Sequence, residues 1–248
     1  MSTILQVEGL TRRFGGLTAV NAVTIDLRIG EVHAVIGTNG AGKSTLINML
    51  SGEIASSEGR IRLSGADVTR QPQPRRALSG IGRSYQRTTI FPEFTVHENC
   101  RLAAQARNPR PWALWESARA CDTSVQAADA ALEATGLASV AARLAGTLSH
   151  GAKRQLEVAM CLATQPRVLL LDEPLAGMGA EETDRMLALL ERLKPRHAIL
   201  LVEHDMDAVF RIAERITVMV NGAVIASGSP DAIRNDPQVR SAYLGEEH

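Results

Sequence analysis

An α/β fold built on a mainly parallel sheet is what this sequence predicts, and three observations predict it. From residue 168 onward, short β-favouring runs alternate with amphipathic runs of helix length, the pattern of parallel strands joined by helices. A glycine-rich stretch, GTNGAGKS at 37–44, stands between the strand-like VHAVIG and the helix-like TLINML. A continuous apolar run, VLLL at 168–171, ends in the adjacent carboxylates Asp172 and Glu173. Such a run suits a strand covered on both faces.

In order along the chain, residues 1 to about 85 are strand-rich: ILQVEGL, VTIDLRIG, VHAVIG and RIRLSG carry β-favouring residues punctuated by glycine. The helix after the glycine loop interrupts them. From about 88 to 160 the composition turns Ala-rich and helix-like, as in SARACDTSVQAADAALEATGLASVAARLAG. Strands then return at VLLLDEP, AILLVEH and ITVMV, with the helices AEETDRMLALLERLK and DMDAVFRIAERI between them. VNGAVIASG at 220–228 predicts a hairpin closed by Asn221 and Gly222. ARNPRPWALWES at 106–117 is the stretch expected to form an irregular loop.

The chain has 248 residues, room for a full core in one α/β domain. Its 27 basic and 27 acidic residues cancel, which argues against a broadly basic nucleic-acid surface. MSTILQVEGL lacks the basic start and apolar centre of a secretion signal. No run approaches the ~20 apolar residues that a membrane span requires, so any work at a membrane is expected from its side. Cys100, Cys121 and Cys161 have neither metal-ligand nor redox spacing and read as reduced thiols. The six histidines form no metal box with them.

Three segments carry chemistry. Gly37, Thr38, Asn39, Gly40, Ala41, Gly42, Lys43 and Ser44 fit the phosphate-binding pattern of two glycines, Lys and a hydroxyl. There, successive N–H groups turn inward and the new helix offers its positive end to an anion. Lys43 would reach the β- and γ-phosphates and Ser44 would hold Mg²⁺; the pattern alone leaves ATP and GTP open. At the carboxyl end of the buried strand, Asp172 would complete the Mg²⁺ shell and Glu173 would orient and polarise the attacking water. Finally, Ser149 precedes an amphipathic helix with apolar positions at 156, 159, 160 and 163, which alone is a capped helix.

Taken together, the order of GTNGAGKS, the glutamine of RSYQRT, LSHG, LLLDEP and LVEHD resembles the ATP-binding subunit of an ABC transporter over essentially all 248 residues. The resemblance implies a P-loop NTPase core, with a mainly parallel sheet and an antiparallel β subdomain, plus an inserted α-helical subdomain. The core would comprise residues 1–87 and 161–248, and the helical subdomain about 88–160. It also implies ATP and Mg²⁺ as cofactors and ATP hydrolysis as the activity. Gly37 to Thr45 would be the phosphate loop, Phe14 the aromatic stacked on adenine, and Gln86 a contact to Mg²⁺ and the water. Leu148, Ser149, His150 and Gly151 would be the signature that completes the opposite subunit's site, and His204 the switch histidine near the γ-phosphate. The implied partners are a second, identical or homologous ATPase subunit, membrane permease subunits and, indirectly, a substrate-binding protein. No nucleic acid is implied, and the place is the cytoplasmic face of the membrane, peripherally.

Two positions depart from the family's usual pattern. The signature reads Leu148-Ser149-His150-Gly151-Ala152 rather than Leu-Ser-Gly-Gly-Gln, and Ala176-Gly177-Met178-Gly179 lacks the usual aspartate after the Asp172–Glu173 strand. Within the family, GIGRSYQRTTIFPEFTVHEN, DEPLAGM, LVEHDMDAVF and DPQVRSAYLGEE resemble importers of branched-chain amino acids and of other amino acids, amides and urea. Permease docking is expected near residues 86–99, where Ile90, Phe91 and Phe94 lie in a Pro-broken loop. The helix N-terminus at Ser149 is a second anion site, expected to be left without a phosphate unless a neighbouring subunit brings one.

Overall fold

The computed structural model of the protein describes residues 3–86, 89–107 and 121–243. Residues 108–117 of the expected irregular loop and residues 244–248 of the tail lie outside the described residues.

The parallel sheet has the strand order β10-β9-β3-β8-β7-β6. Its members are β3 (Glu31–Gly37), β6 (Ile81–Arg83), β7 (Val168–Asp172), β8 (Ala198–Val202), β9 (Arg215–Val220) and β10 (Ala223–Gly228). The first five run parallel, and β10 returns antiparallel at the edge. Every residue of β3, β7 and β8 is buried, as expected of strands covered on both sides. Side chains alternate between the faces. Val168 and Leu170 join Leu46, Ile47 and Leu50 of helix α1 (Lys43–Ser51). Leu169 and Leu171 instead meet Met186, Leu187 and Leu190 of α6 (Ala180–Leu193) and Ile212 of α7 (Met206–Ile212).

A second, antiparallel sheet of order β2-β1-β4-β5 closes over α1. It is made of β1 (Thr3–Phe14), β2 (Leu17–Arg28), β4 (Glu58–Leu63) and β5 (Ala66–Asp67). Its inner face gives Leu5, Val7, Ile25 and Leu27 to the cluster that holds Leu170. A separate apolar cluster joins α3 (Val96–Gln105), α4 (Asp122–Thr135) and α5 (His150–Ala163) through Cys100, Ala128, Leu132, Leu156 and Ala159. Cys100 and Cys161 are deeply buried, and burial pushes both thiols up to about 12. Two short C-terminal helices, α8 (Pro230–Asn235) and α9 (Pro237–Tyr243), place Ile233 and Val239 against Ile36 and Val218.

The expected hairpin is present: Ala223 pairs with Val220, and Asn221 and Gly222 both take positive φ, 48° and 82°, as a two-residue hairpin turn requires. One expected helix is shorter than its sequence suggests. The run DMDAVFRIAERI predicts a helix throughout, yet α7 stops at Ile212 and β9 begins at Arg215. Charge decides this. Glu214 accepts the Val32 N–H at 2.7 Å and Arg215 bonds Glu31 and Asp26, so both residues are tied to the sheet. The short α2 (Gln73–Leu78) and β6 carried no periodicity long enough to be read.

Candidate functional site

The site begins where β3 ends. A side chain on Gly37 would put its Cβ 2.3 Å from the Met219 carbonyl oxygen, so only glycine lets β3 pass β9 this closely. The chain then turns, with Ala41 N–H donating to Thr38 O at 3.1 Å, while Thr38, Asn39 and Gly40 form the outer rim. Gly42 precedes α1 at φ 96°, and a Cβ there would lie 2.3 Å from Ala19 O. No side chain caps α1, so the dipole end of the helix and its first N–H groups face the cleft. Lys43 is buried, and its Nζ donates to Gly37 O at 2.6 Å and Thr38 O at 3.0 Å. Burial lowers its pKa, and the nearby Glu173 and Asp172 carboxylates oppose that shift. Ser44 is exposed and Thr45 half-buried beside it.

One cleft is lined by Asn39 through Thr45, Phe14, Gln86 and Glu173, with Asn221 and Gly222 of the β9–β10 turn. Phe14 stands at the end of β1, 44% exposed with the Arg12 guanidinium 4.5 Å above its ring. It is therefore not a core aromatic. Asp172 and Glu173 are adjacent but differently placed. Asp172 is buried at the end of β7, where burial raises its pKa and Arg83, 3.7 Å away, pulls it back. Glu173 takes φ 50°, a left-handed angle uncommon for a non-glycine residue, and its N–H bonds Val202 O. This kink turns its carboxylate into the cleft, where Oε2 accepts a 2.8 Å hydrogen bond from Gln86 Nε2.

His204 and the expected signature residues 148–151 do not line that cleft. His204 sits just past β8, its side chain 64% exposed and its Nδ1 3.8 Å from the buried Glu203 carboxylate. The run 148–151 opens α5 elsewhere: Leu148 is buried, and Ser149 is the N-cap whose Oγ accepts from Ala152 N at 3.2 Å. Within the chain a carboxylate, not a phosphate, meets that helix end. Glu182 of α6 places Oε1 3.2 Å from both the Gly151 N–H and the Ser149 hydroxyl. His150 Nε2 lies 3.0 Å from Ala176 O, so the two departures from the usual pattern touch one another.

Sequence reasoning missed the residues that hold Gln86. Arg154 of α5 donates to Gln86 O at 2.7 Å and Tyr85 O at 3.2 Å, and its partner Glu157 accepts the Thr89 N–H at 3.0 Å. Both side chains are nearly buried, 8% and 4% exposed. Their i,i+3 spacing reads in sequence like any surface ion pair, so no local signal marked them. Of the loop expected at a partner surface, Phe91 and Phe94 are exposed with rings stacked at 5.5 Å, while Ile90 packs onto the α3–α5 cluster.

Residues 20–176, which hold the glycine loop, Gln86, the α5 cap and the Asp172–Glu173 pair, match the family described as ABC transporter. The chain belongs to that family. As an ABC ATPase it binds ATP. Residues 223–248 of this ABC protein also match the family described as branched-chain amino acid ATP-binding cassette transporter. The chain is 42% identical over 251 residues to BraF of Pseudomonas aeruginosa, a high-affinity branched-chain amino acid transport ATP-binding protein. It is 40% identical over 250 residues to LivG of Escherichia coli, which carries the same description. Each alignment covers 98% of both chains. Two solved ABC transporter cassettes, one nucleotide-free and one in its ADP conformation, superpose with TM-scores of 0.86 at 31% and 30% identity. Each covers 99% of this chain and 100% of the other. Among the described residues no helix is long and apolar enough to cross a membrane.

Proposed function

We propose that this ABC ATPase powers the import of branched-chain amino acids, or of related small amino acids and amides, through separate permease subunits. The observation that carries the reading is the end-to-end similarity to BraF and LivG, which spans 98% of each chain. Residues about 88–160 form the helical subdomain in this reading, and the exposed Phe91 and Phe94 belong to the surface that meets the permease at the cytoplasmic face of the membrane.

In the hydrolytic step, Lys43 leaves the Gly37 and Thr38 carbonyls and turns to the phosphates, whose charge outweighs those two neutral acceptors. The amides at the start of α1 take the remaining phosphate oxygens, and Phe14 offers its exposed face to the adenine. Glu173 accepts the proton of the water that attacks the γ-phosphorus as the bond to the bridging oxygen breaks. Gln86 holds Glu173 in place, and Arg154 holds Gln86. His204, just past the end of β8, would sense the γ-phosphate once nucleotide and partner are in place. The donor set of a hydroxyl, an amide oxygen and a carboxylate suits a hard divalent cation, and the buried Asp172 carboxyl is a group whose charged form a cation would favour. Ser44, Gln86 and Asp172 would hold Mg²⁺, which would neutralise phosphate charge. The Ser149 turn completes the ATP site of a second subunit.

Uptake of radiolabelled leucine by a strain lacking this chain tests the reading. Wild-type protein should restore uptake and Glu173→Gln should not. Leucine uptake that is indifferent to the chain, with other amino acids and amides equally unaffected, would overturn it.

A further inference from the structure

The carboxylate of Glu182 occupies the very atoms of α5 that the shared-site reading assigns to the partner's nucleotide. One oxygen is 3.2 Å from the Gly151 N–H and 3.2 Å from the Ser149 hydroxyl. The approach is close enough that a Cβ on residue 151 would lie 2.5 Å from Glu182 Cδ, so any side chain there would push the carboxylate off the helix end. Glu182 belongs to a different helix, 31 residues along the chain, and makes no ion pair among the described residues. The neighbouring Arg185 does not neutralise it. Its guanidinium instead bonds Glu181 O and lies 3.8 Å from the Glu181 carboxylate. A small pocket lined by Ser149, Gly151, Ala152, Gln155, Glu182 and Arg185 opens this contact to the outside.

We propose that Glu182 is a built-in stand-in for the γ-phosphate: it fills the signature turn of the single subunit and must be displaced before that turn can take the nucleotide of a second subunit. The proposal rests on the shared-site reading above. A carboxylate and a phosphate both favour a helix N-terminus for the same reason, unpaired N–H groups and the positive end of the dipole. They compete because Gly151 N and Ser149 Oγ each have one hydrogen to give. The phosphate carries more charge and more acceptor oxygens, so ATP wins when it is bound to an approaching subunit, and Glu182 returns after hydrolysis. The competition sets how much ATP is needed to hold two subunits together.

The test uses the full chain in the Glu173→Gln background, which retains bound ATP, and reads by light scattering the ATP concentration that gives half-maximal dimer. Glu182→Gln keeps an acceptor for the Gly151 N–H but removes the charge, and should lower that concentration about fivefold to tenfold with little change in monomer Tm. Glu182→Ala should lower it too, at a reduced Tm. An unchanged or higher ATP requirement in the Glu182→Gln protein would make Glu182 a simple helix cap and overturn the proposal. If no ATP-dependent dimer forms with Glu182 intact or replaced, the shared-site reading itself falls and takes this inference with it. The two failures are therefore distinguishable.

Discussion

Asp172 and Glu173 are neighbours in sequence and opposites in environment. The last residue of a buried strand keeps its carboxylate inside, beside Arg83, and the kink at φ 50° sends the next one into the cleft against Gln86. A left-handed angle at a non-glycine residue costs of order 1–3 kcal/mol and persists where function uses it. The role follows from the position: Glu173→Gln should keep ATP binding and lose turnover by about 10²–10⁴-fold, because an amide accepts no proton from water. Steady-state hydrolysis near the wild-type rate would remove Glu173 from this role. At this scale the motif residues were legible, since phosphate binding demands glycine, lysine and hydroxyl at fixed spacing. Their supports were not. Nothing local distinguishes the buried Arg154–Glu157 pair, or Glu182, from charges on a solvated helix, because what sets them apart is contact with segments tens of residues away.

At the scale of elements, β3 carries a second consequence of burial. His33 is 1% exposed, with Nε2 2.7 Å from Thr217 Oγ1 and Nδ1 3.2 Å from Asp26 O. Burial first, and Arg215 second, lower its pKa from 6.5 to about 4. The unfolded chain therefore binds a proton that the folded chain refuses between pH 6.5 and 4. This contribution to stability is complete above pH 6.5 and is lost as pH falls, by about 3 kcal/mol at pH 4. His33→Gln should flatten that part of the pH dependence in urea-melting experiments, and an unaltered slope would contradict the neutral buried imidazole. The central strands were legible because short continuous apolar runs ending at glycine or paired carboxylates suit strands covered on both faces. The end of α7 was not, since the Glu214 hydrogen bond to Val32 N–H and the Arg215 ion pairs that pull the chain into β9 are tertiary and override helix propensity.

At the scale of the whole molecule, the cleft above α1 and the turn at Ser149 lie apart on one chain, and the chain's own Glu182 bonds the second. The proposed division of one ATP site between two subunits would use the same patch twice about a two-fold axis. In such a dimer each nucleotide would meet the Lys43 of one subunit and the Ser149 of the other. Ser149→Arg should leave ATP binding by the monomer intact while blocking dimer and turnover, and Lys43→Ala should block ATP binding. Mixing these two inactive proteins is the most direct measurement of the shared site. A mixed dimer regains one complete site, so hydrolysis should return to as much as about a quarter of the wild-type rate when subunits assort at random. No hydrolysis from the mixture, with mixed dimers demonstrated by mass, would contradict the division of the site between two chains.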